Sequence, residues 1–83
     1  MYLITFHSQF DSNIFVRKMK SCGSVRQKPV PRQLSSSCGT CCTFEPNDDS
    51  FEEESLQALE FEKVYLISGE TKNPEYELIF EKE

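Results

Sequence analysis

Tyr2, Ile4 and Phe6 alternate with Leu3 and Thr5, the period of two that marks a strand with one face turned to a core, and the run closes at His7. Ser8 then reads as a helix N-cap with Asp11 three residues on. The segment that follows places Phe15, Met19 and Cys22 on one face, with Arg17 and Lys20 opposite and Gly23 as its stop. Residues 25–30 predict a short strand. Pro29 and Pro31 each lack a backbone donor, so that strand should lie at a sheet edge or finish there. Residues 34–39 are small and polar, a loop, before an extended pattern resumes over residues 40–45. Pro46-Asn47-Asp48-Asp49 reads as a helix start, with Phe51, Ser55, Ala58 and Leu59 sharing a face. Residues 63–68 form another strand, residues 69–74 carry turn chemistry, and Tyr76, Leu78 and Phe80 alternate with glutamates in a last strand.

That order, strand-helix-strand-strand-helix-strand plus one more strand, predicts an α+β fold, a ferredoxin-like two-layer sandwich (βαββαβ) with an extra C-terminal strand. Residues 1–83 are expected to form one domain. Both helices would cover one face of an antiparallel sheet, leaving the other free for a partner or a second copy, so a sheet-mediated homodimer is one expectation.

Charge narrows the partners. Residues 1–43 hold six Lys/Arg against one acid, and residues 44–83 three Lys against thirteen acids, net +5 followed by net −10 within an overall −5. An acidic chain lacks the positive footprint that phosphates demand, which argues against nucleic acid. No apolar run approaches the roughly 18 residues of a membrane span, and the N-terminus lacks a signal-peptide layout; a soluble, cytoplasmic protein is expected.

The four cysteines are Cys22, Cys38, Cys41 and Cys42, three of them within five residues. A disulfide framework spreads its bridges over distant segments, so this clustering points to chemistry instead. The chemistry-bearing stretch runs Pro29-Val30-Pro31-Arg32-Gln33-Leu34-Ser35-Ser36-Ser37-Cys38-Gly39. Prolines stiffen the approach. A guanidinium from Arg32, folded back toward Cys38, would favour the nucleophilic thiolate. Serines up to Ser37 add hydroxyl donors, and Gly39 lets a substrate or partner chain come close to the backbone.

Cys38-Gly39-Thr40-Cys41 also has C-x-x-C spacing, which suits a dithiol pair or two corners of a metal site. If residues 40–45 are a strand, Cys41 and Cys42 point to opposite faces, which disfavours zinc, and no metal or cofactor is expected. Cys42 and Phe44 alternate toward the core, Cys22 is expected to pack beside Phe15 and Met19, and His7 is an accessory candidate for proton transfer.

The opening Tyr-Leu-Ile-Thr-Phe-His-Ser, the Pro-Val-Pro-Arg element and Leu-Ser-Ser-Ser-Cys-Gly together resemble a small bacterial family of selenium/sulfur carrier-like proteins. The likeness covers most of residues 1–68 and is most specific at residues 29–39, where Arg32, Ser37, Cys38 and Gly39 correspond to the family's motif. It implies a sulfur or selenium carrier in which Cys38 accepts a persulfide or selenopersulfide from a donor protein and hands it to an acceptor, a carrier or binding protein rather than a stand-alone enzyme. Thr40-Cys41-Cys42 after the motif and a long tail beyond Gly69 depart from the family pattern. The second thiol raises an alternative: Cys41 attacking a Cys38 persulfide would release sulfide and leave a disulfide, the behaviour of a small dithiol redox module. A third reading is a non-catalytic interaction or metal-binding domain with structural cysteines.

Overall fold

The computed structural model describes the whole chain apart from Ser35, Asp49, Ser50, Thr71 and Glu83. The motif serine at 35, the last residue of the Pro46-to-Asp49 cluster and one residue of the 69–74 turn therefore lie outside the described residues.

Among the described residues the fold is α+β: a five-stranded antiparallel sheet with one α-helix. Its elements are β1 (Tyr2–Thr5), α1 (Gln9–Met19), β2 (Gly23–Pro29), β3 (Thr40–Pro46), a 3-10 helix (Glu53–Ala58), β4 (Lys63–Glu70) and β5 (Asn73–Glu81). The strands lie in the order β2-β3-β1-β4-β5. Strand β2 is an edge and also finishes at its proline, so both expectations hold; Pro29 ends it opposite Thr40, where a missing donor costs the ladder least.

Alternation along the strands sorts the two faces. Ile4, Cys42, Phe44 and Val64 turn toward α1 and meet Phe6, Phe15, Met19, Leu56 and Phe61 in the main core. Leu3, Cys41 and Tyr65 form a smaller cluster on the opposite face, with Val30, Leu34, Ile67 and Tyr76 packed against it. Within the main core the rings of Phe6 and Phe15 lie 5.4 Å apart and those of Phe15 and Phe44 6.2 Å apart, both edge-on, the arrangement that ring quadrupoles favour.

Helix α1 starts where its cap predicts. Ser8 is extended, and its hydroxyl accepts the Asp11 amide at 3.3 Å, satisfying one of the free donors of the first turn. Asp11 in that turn, and Arg17 and Lys18 in the last, complement the helix dipole. Ser12, Phe15 and Met19, spaced three and four apart, form its buried stripe.

Three local expectations change. Cys22 lies beyond the end of α1, in the turn to β2, and is exposed instead of packed beside Met19; its amide donates to the Met19 carbonyl at 2.9 Å. Gly23 is no helix stop but the first residue of β2. It is buried where a Cβ would press against the Glu45 carbonyl carbon and the Phe44 ring, each at 2.9 Å. The second helix is a single 3-10 segment that buries Leu56. Six residues are too few to sustain an α-helical ladder of their own, and 3-10 turns serve as short connectors of this kind. The segment is held from both sides. Tyr2 donates its hydroxyl to Glu53 at 3.2 Å, and the Lys82 ammonium donates to the Gln57 carbonyl at 3.0 Å while lying 4.4 Å from the centre of the Phe61 ring.

Candidate functional site

Strands β2 and β3 are joined by residues 30–39, the segment the sequence marks out. The Val30 amide donates to the Gly39 carbonyl at 3.2 Å and closes the neck of this loop. The Leu34 amide donates to the Pro31 carbonyl at 3.0 Å, forming a turn with Arg32 and Gln33 exposed at its corner. Val30 and Leu34 reach down onto the Leu3–Cys41–Tyr65 cluster. Cys38 packs against the main core on the opposite face. The loop therefore wraps the end of the sheet, gripping one face with its first half and the other with its second.

The second half is tied to the frame by hydroxyls. Ser36 donates to the Phe6 carbonyl at 3.1 Å. Ser37 donates twice to Glu62, from its amide to Oε1 at 3.2 Å and from its hydroxyl to Oε2 at 2.7 Å. Cys38, half-buried, donates its thiol to the Thr40 carbonyl at 3.4 Å, with the Ser36 hydroxyl 4.0 Å from the sulfur. Gly39 has φ +75, a left-handed conformation that a side chain would resist, and nothing lies within 4 Å of where a Cβ would stand. Open space thus borders Cys38 on its C-terminal side, as the glycine suggests.

Among the predicted site residues, Ser37, Cys38 and Gly39 are consecutive in this clasped half. Arg32 is exposed on the other half and forms no hydrogen bond or ion pair with any described residue. Cys41 is fully buried, its thiol donating to the Pro29 carbonyl at 3.7 Å. Burial pushes that thiol up to about 11; the Lys28 charge opposes the shift, and Cys42 and Cys38 add to it. Cys42, as its alternation predicts, is buried in the main core with the Ser12 hydroxyl 3.5 Å from its sulfur. Its thiol is also raised, again through desolvation first, with the Ser12 hydrogen bond opposing. Cys41 and Cys42 thus face opposite sides of the sheet, and among the described residues no group of three His, Cys, Asp or Glu side chains is placed to hold a metal ion.

Glu62 is the residue the sequence did not mark. Antiparallel pairing of Thr5 with Lys63 delivers it to the end of β1, where its amide donates to the Thr5 carbonyl at 2.7 Å. His7 Nδ1 lies 3.6 Å from its carboxylate. Burial alone would raise this carboxyl, but the Ser37 hydroxyl and amide, His7 and the Ser36 hydroxyl outweigh it and hold the group below the usual carboxylate value. Nothing in the local run Glu60-Phe61-Glu62-Lys63 distinguishes Glu62 from the chain's other acids. Only the register of two distant strands does.

A half-buried thiol at the surface end of a hydroxyl-tied loop, beside open space, can act as a nucleophile toward a sulfur atom presented from solvent. Two further thiols sealed in the strand below cannot reach solvent without local opening. A family model described as "Putative Se/S carrier protein-like" matches residues 1–66. No curated protein and no solved structure matches the chain.

Proposed function

Given that this chain belongs to the Se/S carrier-like family, we propose that it carries sulfur or selenium on Cys38. The Cys38 thiolate attacks the outer sulfur of a persulfide on a donor protein; the donor's inner sulfur leaves as a thiolate, and Cys38 becomes the persulfide. Attack by an acceptor thiolate on the outer sulfur reverses these roles and regenerates Cys38. Both steps are exchanges, so neither needs an external oxidant or reductant. Selenium follows the same scheme as a selenopersulfide.

The observation that carries this reading is the placement of Cys38: it alone of the three clustered cysteines reaches the surface, on a loop tied to the frame by Ser36 and Ser37. Dithiol redox chemistry finds less support, because Cys41 lies in the opposite cluster beneath Val30 and Leu34 with its ionisation suppressed. The strand order β2-β3-β1-β4, with the 3-10 helix in the place of a second α-helix and β5 added outside, supports a ferredoxin-like reading of the fold. In that frame the β2–β3 connection is free to lengthen into a functional loop.

Incubation with a cysteine desulfurase and cysteine, followed by mass spectrometry under non-reducing conditions, tests the assignment. One added sulfur atom, about 32 Da, is expected on the peptide containing Cys38 and absent from Cys38→Ser. An unmodified Cys38 beside a labelled control carrier contradicts it.

A further inference from the structure

We propose that Glu62 is the positioning residue of the Cys38 loop, its carboxylate gripping Ser37 at two points so that the sulfur one residue further on is held for exchange with a partner protein. This rests on Cys38 being the carrying thiol.

The loop's first half is anchored by apolar contacts of Val30 and Leu34, and its neck by a backbone bond. In the second half, Cys38 packs against the main core, and Ser36 and Ser37 before it are held by hydrogen bonds. Among the described residues, the bonds of this half to the frame are Ser36 to the Phe6 carbonyl, the pair from Ser37 to Glu62, and the weak one from the Cys38 thiol to the Thr40 carbonyl. Of these, only the Glu62 pair is both two-pronged and charged, and hydrogen bonds to an ionised carboxylate are roughly twice as strong as neutral ones. A two-point grip on the amide and the hydroxyl of one residue also fixes direction, which a single bond does not.

Glu62 is itself fixed. Its amide donates to the Thr5 carbonyl at 2.7 Å and its carbonyl accepts the Lys82 amide at 2.9 Å, so the carboxylate projects from backbone locked between β1 and the end of β5. A group that positions another must stand on such a rigid element. Of the neighbouring cations, Lys63 pairs with Glu81 at 3.9 Å and the Lys82 ammonium is engaged by the Gln57 and Leu59 carbonyls, while His7 Nδ1 lies 3.6 Å from Glu62 Oε2, the oxygen that accepts the Ser37 hydroxyl at 2.7 Å.

The test uses the full chain. Sulfur uptake from a cysteine desulfurase is timed for wild type, Glu62→Gln, Ser37→Ala and Ser37→Thr, while the Ser37 amide is followed by NMR as pH falls. Glu62→Gln and Ser37→Ala are expected to slow uptake about tenfold, the scale of one charged hydrogen bond. Ser37→Thr, which keeps the hydroxyl, is expected to restore the rate to within about twofold of wild type. In wild type the Ser37 amide resonance should move as Glu62 is protonated below the ordinary carboxylate value of 4.5, and stay still in Glu62→Gln. Uptake at the wild-type rate in both slowing variants overturns the assignment, as does a Ser37 amide indifferent to that titration. If wild type takes up no sulfur, the carrier reading fails, and the amide titration still decides whether Glu62 holds the loop.

Discussion

Cys38 and Cys41 stand three residues apart in one C-x-x-C run, yet the fold gives them opposite circumstances. Cys38 sits in a loop, half-exposed, with the Ser36 hydroxyl and an open glycine beside it. Cys41 is the second residue of β3, wholly buried on the other side of the sheet under Val30 and Leu34. The strand begins between them, and once it does, facing alternates and the ladder fixes each side chain's neighbours. Spacing alone therefore cannot make a dithiol of them. What separates a displayed sulfur from a sealed one is whether the backbone beneath it belongs to the loop or to the sheet.

The sharpest way to break this contrast is to exchange the two thiols for hydroxyls one at a time. Cys38→Ser should abolish sulfur uptake, and Cys41→Ser should leave uptake in the folded fraction within about twofold while lowering stability by about 1–3 kcal/mol, because a hydroxyl is harder to bury than a thiol. Mass spectrometry and denaturant titration read the two effects. Equal loss of uptake in both variants would mean that the thiols act as a pair after all.

Stability against pH sharpens the contrast further, since the sealed thiol and the loop's anchor fail at opposite ends of the scale. Cys41 has its folded value raised from 9.0 to about 11, so the stability it contributes as a neutral group is intact below 9 and is lost as pH climbs toward 11. Glu62 is the reverse: its value is depressed, so its contribution is present above 4.5 and is lost as pH falls through the lower folded value. Denaturant midpoints should show an alkaline decline that weakens in Cys41→Ala and an acid decline that weakens in Glu62→Gln. An unchanged alkaline limb in Cys41→Ala would show that this thiol is solvated.

The smallest effect is expected at Arg32. With the side chain exposed and no hydrogen bond or ion pair to any described residue, Arg32→Ala should change stability by no more than about 0.5 kcal/mol. If it nevertheless slows uptake several-fold without moving the denaturant midpoint, the guanidinium serves the partner's surface or the arriving sulfur and not the loop.

Much of this was legible in the chain, for reasons that are local. Ser8 and Asp11 announce the helix because a cap is decided within four residues, and Cys42 and Phe44 share a face because alternation needs only neighbours. The proline-braced loop and the edge position of β2 follow from missing backbone donors. Glu62 was not legible. It joins the site through pairing of Thr5 with Lys63, positions 58 residues apart, and no nearby residue signals that register. Cys22 was misplaced because an apolar spacing was extended through Lys20, where α1 has already ended. The second helix shrank to a 3-10 segment because an acid-rich stretch with few apolar positions offers too little to bury.

The most direct test is timed alkylation of the native protein with iodoacetamide at mildly alkaline pH, each cysteine followed by its own peptide. Cys38 should label promptly together with exposed Cys22, with Cys41 slower by about tenfold or more, because it is fully buried and its burial favours the neutral thiol. Cys41 labelling at the pace of Cys38 would contradict the account, because the sulfur held to be sealed would then be as available as the one held to be on display.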